Sequence, residues 1–371
     1  MGQTLSEPVT SKETDKGGNS RFIYGSSSMQ GWRITMEDAH SCLLSLDDYP
    51  DVSFFAVFDG HGGQSAAKYC GLNLHKKIAE NGFQNGDYKL AIKHGYVDID
   101  EDLKKDADFL HDPSGCTAVS ATITSDNKIF VGNAGDSRAV MSINGKVKPL
   151  SFDHKPTNQG ESARIVNAGG FVEFGRVNGN LALSRAIGDF EFKQNSRLSA
   201  EEQAVTADPD ITEHQITNED EFIVIACDGI WDCMTSQEVV DYVRAEIAAK
   251  VPLEQICEKL MSKCLAPNCE LGGIGCDNMT VVIVGILDGK SEEEWFEWVA
   301  QRASSGSRYS NSESADKLGE NPPTQSSFLE ETSKDTTEST TGAEQAQVDA
   351  EFSPSVEQGD VKPEELATSN P

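Results

Sequence analysis

The 371-residue sequence predicts an α+β fold in which antiparallel sheets pack against helices, and two observations carry that expectation. Short apolar runs of β-type composition come in clusters instead of alternating strictly with helical segments. Several of those runs are separated by turn sequences too short for a helical crossover, such as Ser125-Asp126-Asn127 and Asn144-Gly145. In chain order the strand-like runs are Ser53–Phe58, Ala118–Thr124, Lys128–Val131, Arg138–Ile143, Phe222–Cys227 and Thr280–Leu287. Apolar spacing of helical period predicts helices over Gly63–Ala79, Tyr88–Lys105, Gln159–Ala168, Ser236–Ala249 and Pro252–Leu265. No internal repeat is present.

Composition divides the chain. Residues 303–371 contain no Trp, Ile, Cys, Met or His, and carry 14 acidic against 4 basic residues. Such a segment buries too little apolar surface to offset its ordering entropy, so a disordered acidic tail is expected there. Residues 1–20 are similarly polar and are expected to be flexible, which leaves residues 21–302 as one folded domain. The net charge of −30 opposes polyanionic ligands and argues against a nucleic-acid partner. The longest aliphatic stretch, near Val281–Leu287, is far below the roughly 20 residues that span a bilayer. Gly2 with Ser6 fits an N-myristoylation pattern, which would give at most weak membrane contact. Nine scattered cysteines without a secretory signal suggest reduced thiols in a cytoplasmic and/or nuclear protein. Cys264, Cys269 and Cys276 lie close together, but their spacing is not a zinc pattern, and ordinary thiols are expected.

The acids point to chemistry by their positions. Asp59 ends one apolar run and precedes Gly60-His61-Gly62-Gly63, and Asp228 ends another and precedes Gly229. Asp136 lies between two strand-like runs, Asp277 just before a third, and Glu37-Asp38 follow Trp32–Met36. Each alone reads as a solvated turn residue. Together they would bring mutually repelling carboxylates to one sheet edge, which divalent cations would relieve. Oxygen donors without a His or Cys set suit Mg2+ or Mn2+ over Zn2+. Arg33 offers a planar fork for a phosphate, and His61 a general acid beside the cluster.

An ordered series of motifs then resembles the metal-dependent protein serine/threonine phosphatases of the protein phosphatase 2C type. It runs through Arg33–Asp38, Phe58–Gly63, Ser114–Ala118, Gly132–Arg138, Asp153-His154-Lys155-Pro156, Glu161–Gly170, Leu183–Asp189, Ala226–Asp232 and Asp277–Thr280. The resemblance implies a four-layer αββα sandwich, two antiparallel sheets flanked by helices, with a binuclear metal site at one end. It implies that Asp59 bridges two metals, that Asp228 and Asp277 complete the first metal's ligands, and that the Gly60 carbonyl, with Glu37 and Asp38, serves the second. Asp136 with Asp228 would hold a looser third metal, Arg33 the phosphoryl group, and His61 the leaving-group proton. Gln159–Asp189 would form a flap beside the site. The implied activity is hydrolysis of phosphoserine and phosphothreonine in phosphoprotein substrates by a metal-activated water, without a phosphoenzyme, in a monomer. None of the cysteines has an arginine six positions later, as a cysteine-dependent phosphatase loop requires. The alternatives are a two-metal phosphodiesterase, disfavoured by the negative charge, and a catalytically dead scaffold, disfavoured because Asp59, Asp228, Asp277 and Arg33 are all present.

Overall fold

The structure, a computed structural model, describes residues 4–83, 86–109, 111–269 and 273–306. A six-stranded sheet has the order β1 (Thr4–Gly18), β2 (Phe22–Arg33), β16 (Met279–Ile286), β15 (Asp220–Ala226), β9 (Arg138–Ile143) and β10 (Lys146–Pro149). A five-stranded sheet has the order β14 (Asp210–Gln215), β8 (Lys128–Ala134), β7 (Ala118–Ile123), β4 (Ser53–Phe58) and β3 (Ala39–Leu43). Every neighbouring pair in both is antiparallel.

Burial on both faces explains why the central strands read as unbroken apolar runs instead of alternating. Along β4, Phe54, Ala56 and Phe58 pack on the helices α1 (Ser65–Glu80) and α2 (Tyr88–Lys105), while Phe55 and Val57 face the other sheet. Along β15, Ile223 and Ile225 face the inter-sheet core, while Phe222, Val224 and Ala226 pack on α5 (Ser236–Ala248), α6 (Leu253–Cys264) and α7 (Glu292–Gly306). Helix, sheet, sheet and helix thus form the expected four layers. Each fully buried Phe or Ile contributes about 1.5–3 kcal/mol to holding them together. Thr235 starts α5 with a capping box, its hydroxyl and the Glu238 carboxylate bonding reciprocally to backbone. Asn144-Gly145 turns β9 into β10 with φ of 50° and 79°, the left-handed pair a tight hairpin needs. Among the described residues, no helix is long and apolar enough to cross a membrane.

Two expectations need correction here. Residues 4–18 are not a flexible terminus but the strand β1, hydrogen-bonded along β2 from Thr14↔Ser27 to Gly18↔Ile23, with irregular register nearer its start. Composition reflects side-chain burial, whereas this edge strand is held by backbone hydrogen bonds and polar contacts. Tyr24 donates to Asp15 at 2.8 Å, and Thr14 to Glu258 of α6 at 2.8 Å. Its charges and register shifts are the usual protection of an exposed sheet edge. The cysteines are also not all free thiols. Cys269 and Cys276, seven positions apart, form a disulfide, with their Cα atoms 5.9 Å apart.

At the other end, α7 runs to Gly306, past the expected boundary at Arg302. It is anchored by the fully buried Trp295, whose indole donates to the Glu221 carbonyl at 3.2 Å. The expected acidic tail from residue 307 onward lies outside the described residues.

Candidate functional site

The antiparallel pairings gather the acids at one end of the sandwich. Asp59 follows the last residue of β4, and Asp38 precedes β3, whose Ala39 pairs with Phe58. Asp228 follows β15, whose Ala226 pairs with Val281 on one side and Arg138 on the other. Asp277 precedes β16, whose Met279 pairs with Met29 of β2, and Asp136 lies in the β8–β9 connection. Two close approaches require glycine. A Cβ on Gly60 would lie 2.2 Å from the Glu37 carbonyl oxygen, and one on Gly229 2.1 Å from that of Asn278.

The cluster is electrostatically unfavourable by itself. Burial, reinforced by Asp228, Asp38, Asp136 and Asp277, holds the Asp59 carboxyl well above the usual carboxylate range. Burial together with Asp136 and Asp277 does the same to Asp228. Asp38 is pushed up to about 7 by burial, although Thr280 Oγ1 donates to its Oδ2 at 2.7 Å. Its other oxygen, Oδ1, is buried without any hydrogen-bond partner. Burial raises Asp136 against the opposing Lys155 ammonium 2.5 Å away, and raises Asp277 against Arg33.

Several carboxylates resisting ionisation, with an orphaned oxygen among them, fit a site for divalent cations. Oxygen atoms of Asp38 and Asp59 and the sulfur of Cys227 lie within 4.8 Å of one another. Burial, then Asp38 and Asp59, keep the Cys227 thiol protonated, and it receives the Thr280 N–H at 3.2 Å. The donor set is therefore oxygen, which suits a hard cation.

Other candidates surround this cluster. Arg33 pairs with Asp277, its side chain still 42% exposed. Its planar fork can therefore engage a ligand without breaking that pair. His61 lies on the short strand β5 (Gly60–His61), which with β6 (Gly115–Cys116) and β13 (Ile187–Gly188) forms a small three-stranded sheet. Its Nε2 is 2.7 Å from Asp189 Oδ2. Burial opposes the charged ring, but the bond and charge of Asp189 outweigh it, and the pKa is raised. Glu37 is held through its backbone, whose N–H donates to Asn278 Oδ1 at 3.0 Å.

Sequence reasoning gave no role to Lys155, Asp189, Cys227, Asn278 or Thr280, although all lie in or beside the quoted motifs. Asn278 braces the Arg33–Asp38 segment by donating to the Gln30 and Thr35 carbonyls at 2.8 and 3.0 Å. An acid or amide at a motif's end, beside glycine or aspartate, was the available signal.

The expected flap begins with α3 (Gln159–Asn167) and continues through the hairpin of β11 (Val172–Glu173) and β12 (Arg176–Val177). Its last residue, Asp189, reaches the site through His61.

The protein phosphatase 2C family model matches residues 22–271. The chain is 55% identical over 315 residues to protein phosphatase 2C homolog 2 of Hypocrea jecorina, covering 82% of this chain and 72% of that protein. It is also 55% identical over 304 residues to a probable protein phosphatase 2C of Caenorhabditis elegans, covering 82% and 85%. A crystal structure of a phosphatase from Toxoplasma gondii superposes with a TM-score of 0.65 at 26% identity, covering 76% of this chain and 97% of that one.

Proposed function

Because the chain belongs to the protein phosphatase 2C family and is a metal-dependent protein serine/threonine phosphatase, we propose that it cleaves phosphoserine and phosphothreonine by direct attack of water, with Mg2+ or Mn2+ held at the strand-end carboxylates. Asp59 with Asp228 and Asp277 would hold one cation, and Asp59 with the Gly60 carbonyl, Glu37 and Asp38 a second. Asp136 with Asp228 would hold a third, more loosely. When bound, the cations screen the phosphoryl charge and acidify a water molecule.

The remaining work falls to side chains of this chain. Arg33 grips phosphoryl oxygens through the face of its guanidinium that Asp277 leaves exposed. The contact is charge-assisted, and it orients the phosphorus relative to the carboxylates. His61 supplies a proton to the departing serine or threonine oxygen, whose alkoxide is too basic to leave unassisted. Asn278 and the backbone packing at Gly60 and Gly229 fix the spacing of the segments that carry the ligands.

The observation that carries this reading is the convergence of Asp38, Asp59, Asp136, Asp228 and Asp277, whose burial and mutual repulsion divalent cations would offset. The test is phosphate release from a phosphoserine peptide by the full chain. Activity should vanish after dialysis against EDTA and return with Mg2+ or Mn2+, while a phosphodiester should be a poor substrate. Full turnover in EDTA would exclude this mechanism.

A further inference from the structure

Asp100 and Lys193 form an ion pair to which the chemistry above gives no part. Asp100 lies on α2, Lys193 follows the single turn Phe190–Phe192, and both residues are 6% exposed. The Lys193 ammonium has three hydrogens and three acceptors, Asp100 Oδ1, Asp100 Oδ2 and the Ala186 carbonyl, each at 2.8 Å. Asp100 Oδ1 also accepts the Gly188 N–H at 2.7 Å. The pair therefore clamps residues 186–193 to α2. It shares no residue with the strand ends or with the short helix α4 (Asp228–Trp231) that carry the metal-site carboxylates. Buried ion pairs add little net stability over apolar side chains of like size. What this one supplies is a fixed place for Gly188 and the residue after it.

We propose that Asp189 is the positioning residue for the His61 ring, and that the buried Asp100–Lys193 pair holds Asp189 there. The proposal rests on the general-acid reading of His61 and deepens it.

The small sheet sets the geometry. β6 is its middle strand, and Gly188, Gly115 and His61 stand in one row across it. The Asp189 carboxylate crosses Gly115 to meet His61 Nε2 at 2.7 Å. A Cβ on Gly115 would lie 2.2 Å from Asp189 Oδ2, so only glycine leaves that crossing open. Asp189 has left-handed backbone, with φ 52° and ψ 41°. A residue other than glycine keeps such a conformation where its surroundings over-determine it. Here Gly188 is bonded to Asp100 on one side, and Lys193 closes the turn onto Ala186 on the other. A carboxylate only accepts, so Nε2 carries the hydrogen of the Asp189 bond. Nδ1 is then the ring atom left to protonate the departing oxygen, and Asp189 fixes where it points. Orientation of this kind acts on the rate of the chemical step more than on substrate affinity.

The test uses the full chain with Mg2+. Asp189→Asn keeps the side-chain shape and a residue that tolerates left-handed backbone, but removes the charge. Asp100→Leu combined with Lys193→Met removes both charges of the pair, so that neither is left buried alone. On a phosphoserine peptide each should lower kcat about tenfold or more, with KM within about twofold, and each should lose less on an aryl phosphate. Added to His61→Ala, neither should lower the peptide kcat by more than about twofold further, because both act through that ring. A readout independent of turnover is the proton NMR signal of the His61 Nε2–H, identified by its loss in His61→Ala. It should be sharp in wild type and broadened by exchange with water in both variants. Asp189→Asn touches neither member of the pair, so it tests the His61 contact whether or not the double variant folds. Fully additive losses in the His61→Ala background would overturn the proposal and leave the general acid standing. So would a double variant that keeps both the sharp signal and the peptide kcat. Equal slowing of peptide and aryl phosphate by His61→Ala alone would overturn the general-acid reading and this proposal with it.

Discussion

Replacing Glu161 by Gln should weaken the anchoring of the segment that runs from α3 to Asp189, by an amount the structure allows to be worked out. Glu161 is 5% exposed in the first turn of α3. It accepts a 2.8 Å bond from Arg185 Nη2 and pairs with Arg164 Nη1 at 2.9 Å. Arg185 also reaches Asp210 of β14 at 2.8 Å, so the network ties this segment to the five-stranded sheet. Burial alone would raise the Glu161 pKa, but Arg185 and Arg164 outweigh it and hold the carboxyl at about 2 instead of 4.5. At 1.36 kcal/mol per pH unit that difference is worth about 3 kcal/mol. Removing one partner of a buried ion pair typically costs about 3–5 kcal/mol, in agreement.

The sign of the pH dependence follows from the lowered folded-state pKa. The contribution is fully present above the unfolded value of 4.5 and is lost as pH falls through about 2. Wild type should therefore exceed Glu161→Gln by about 3 kcal/mol at pH 7 but only by about 1.4 kcal/mol at pH 3. Urea unfolding at the two pH values reads the difference directly, and at pH 7 the thermal midpoint should fall by about 6 °C. An unchanged midpoint, or the same deficit at both pH values, would refute the reasoning.

Three further outcomes are expected. Asp59→Asn and Asp228→Asn should each lower kcat for phosphate release by about 1,000-fold or more. In EDTA their thermal midpoints should match or exceed wild type, because a repelling charge is gone; activity within tenfold of wild type would contradict the metal assignment. His61→Ala should slow a phosphoserine peptide by about 100-fold while affecting an aryl phosphate much less, since a phenol leaves with little protonation. Equal slowing of the two substrates would remove the general-acid role. A chain beginning at Ser20 should lose several degrees of thermal midpoint and self-associate, detectable by light scattering, because β2 would become an open, buried-type edge; unchanged behaviour would mean that β1 contributes nothing to the sheet.

The elements legible in the sequence were those whose signal is local. β4, β9 and α2 begin and end at the residues their apolar spacing marks, because a strand buried on both faces and an amphipathic helix write their environment into consecutive residues. The acids were legible for a similar reason: Asp59 and Asp228 each terminate an apolar strand and precede a glycine, so placing the strands together places the carboxylates together. What stayed hidden depends on partners distant in sequence. β1 is polar and is held by the β2 backbone, and backbone hydrogen bonds leave no compositional trace. The Cys269–Cys276 bond depends on the two cysteines meeting in space, which their spacing in the sequence does not announce. Asp189 meets His61 across 128 positions, and Arg33 meets Asp277 across 244, because sheet register brings them together, and register is set by the packing of the whole sandwich.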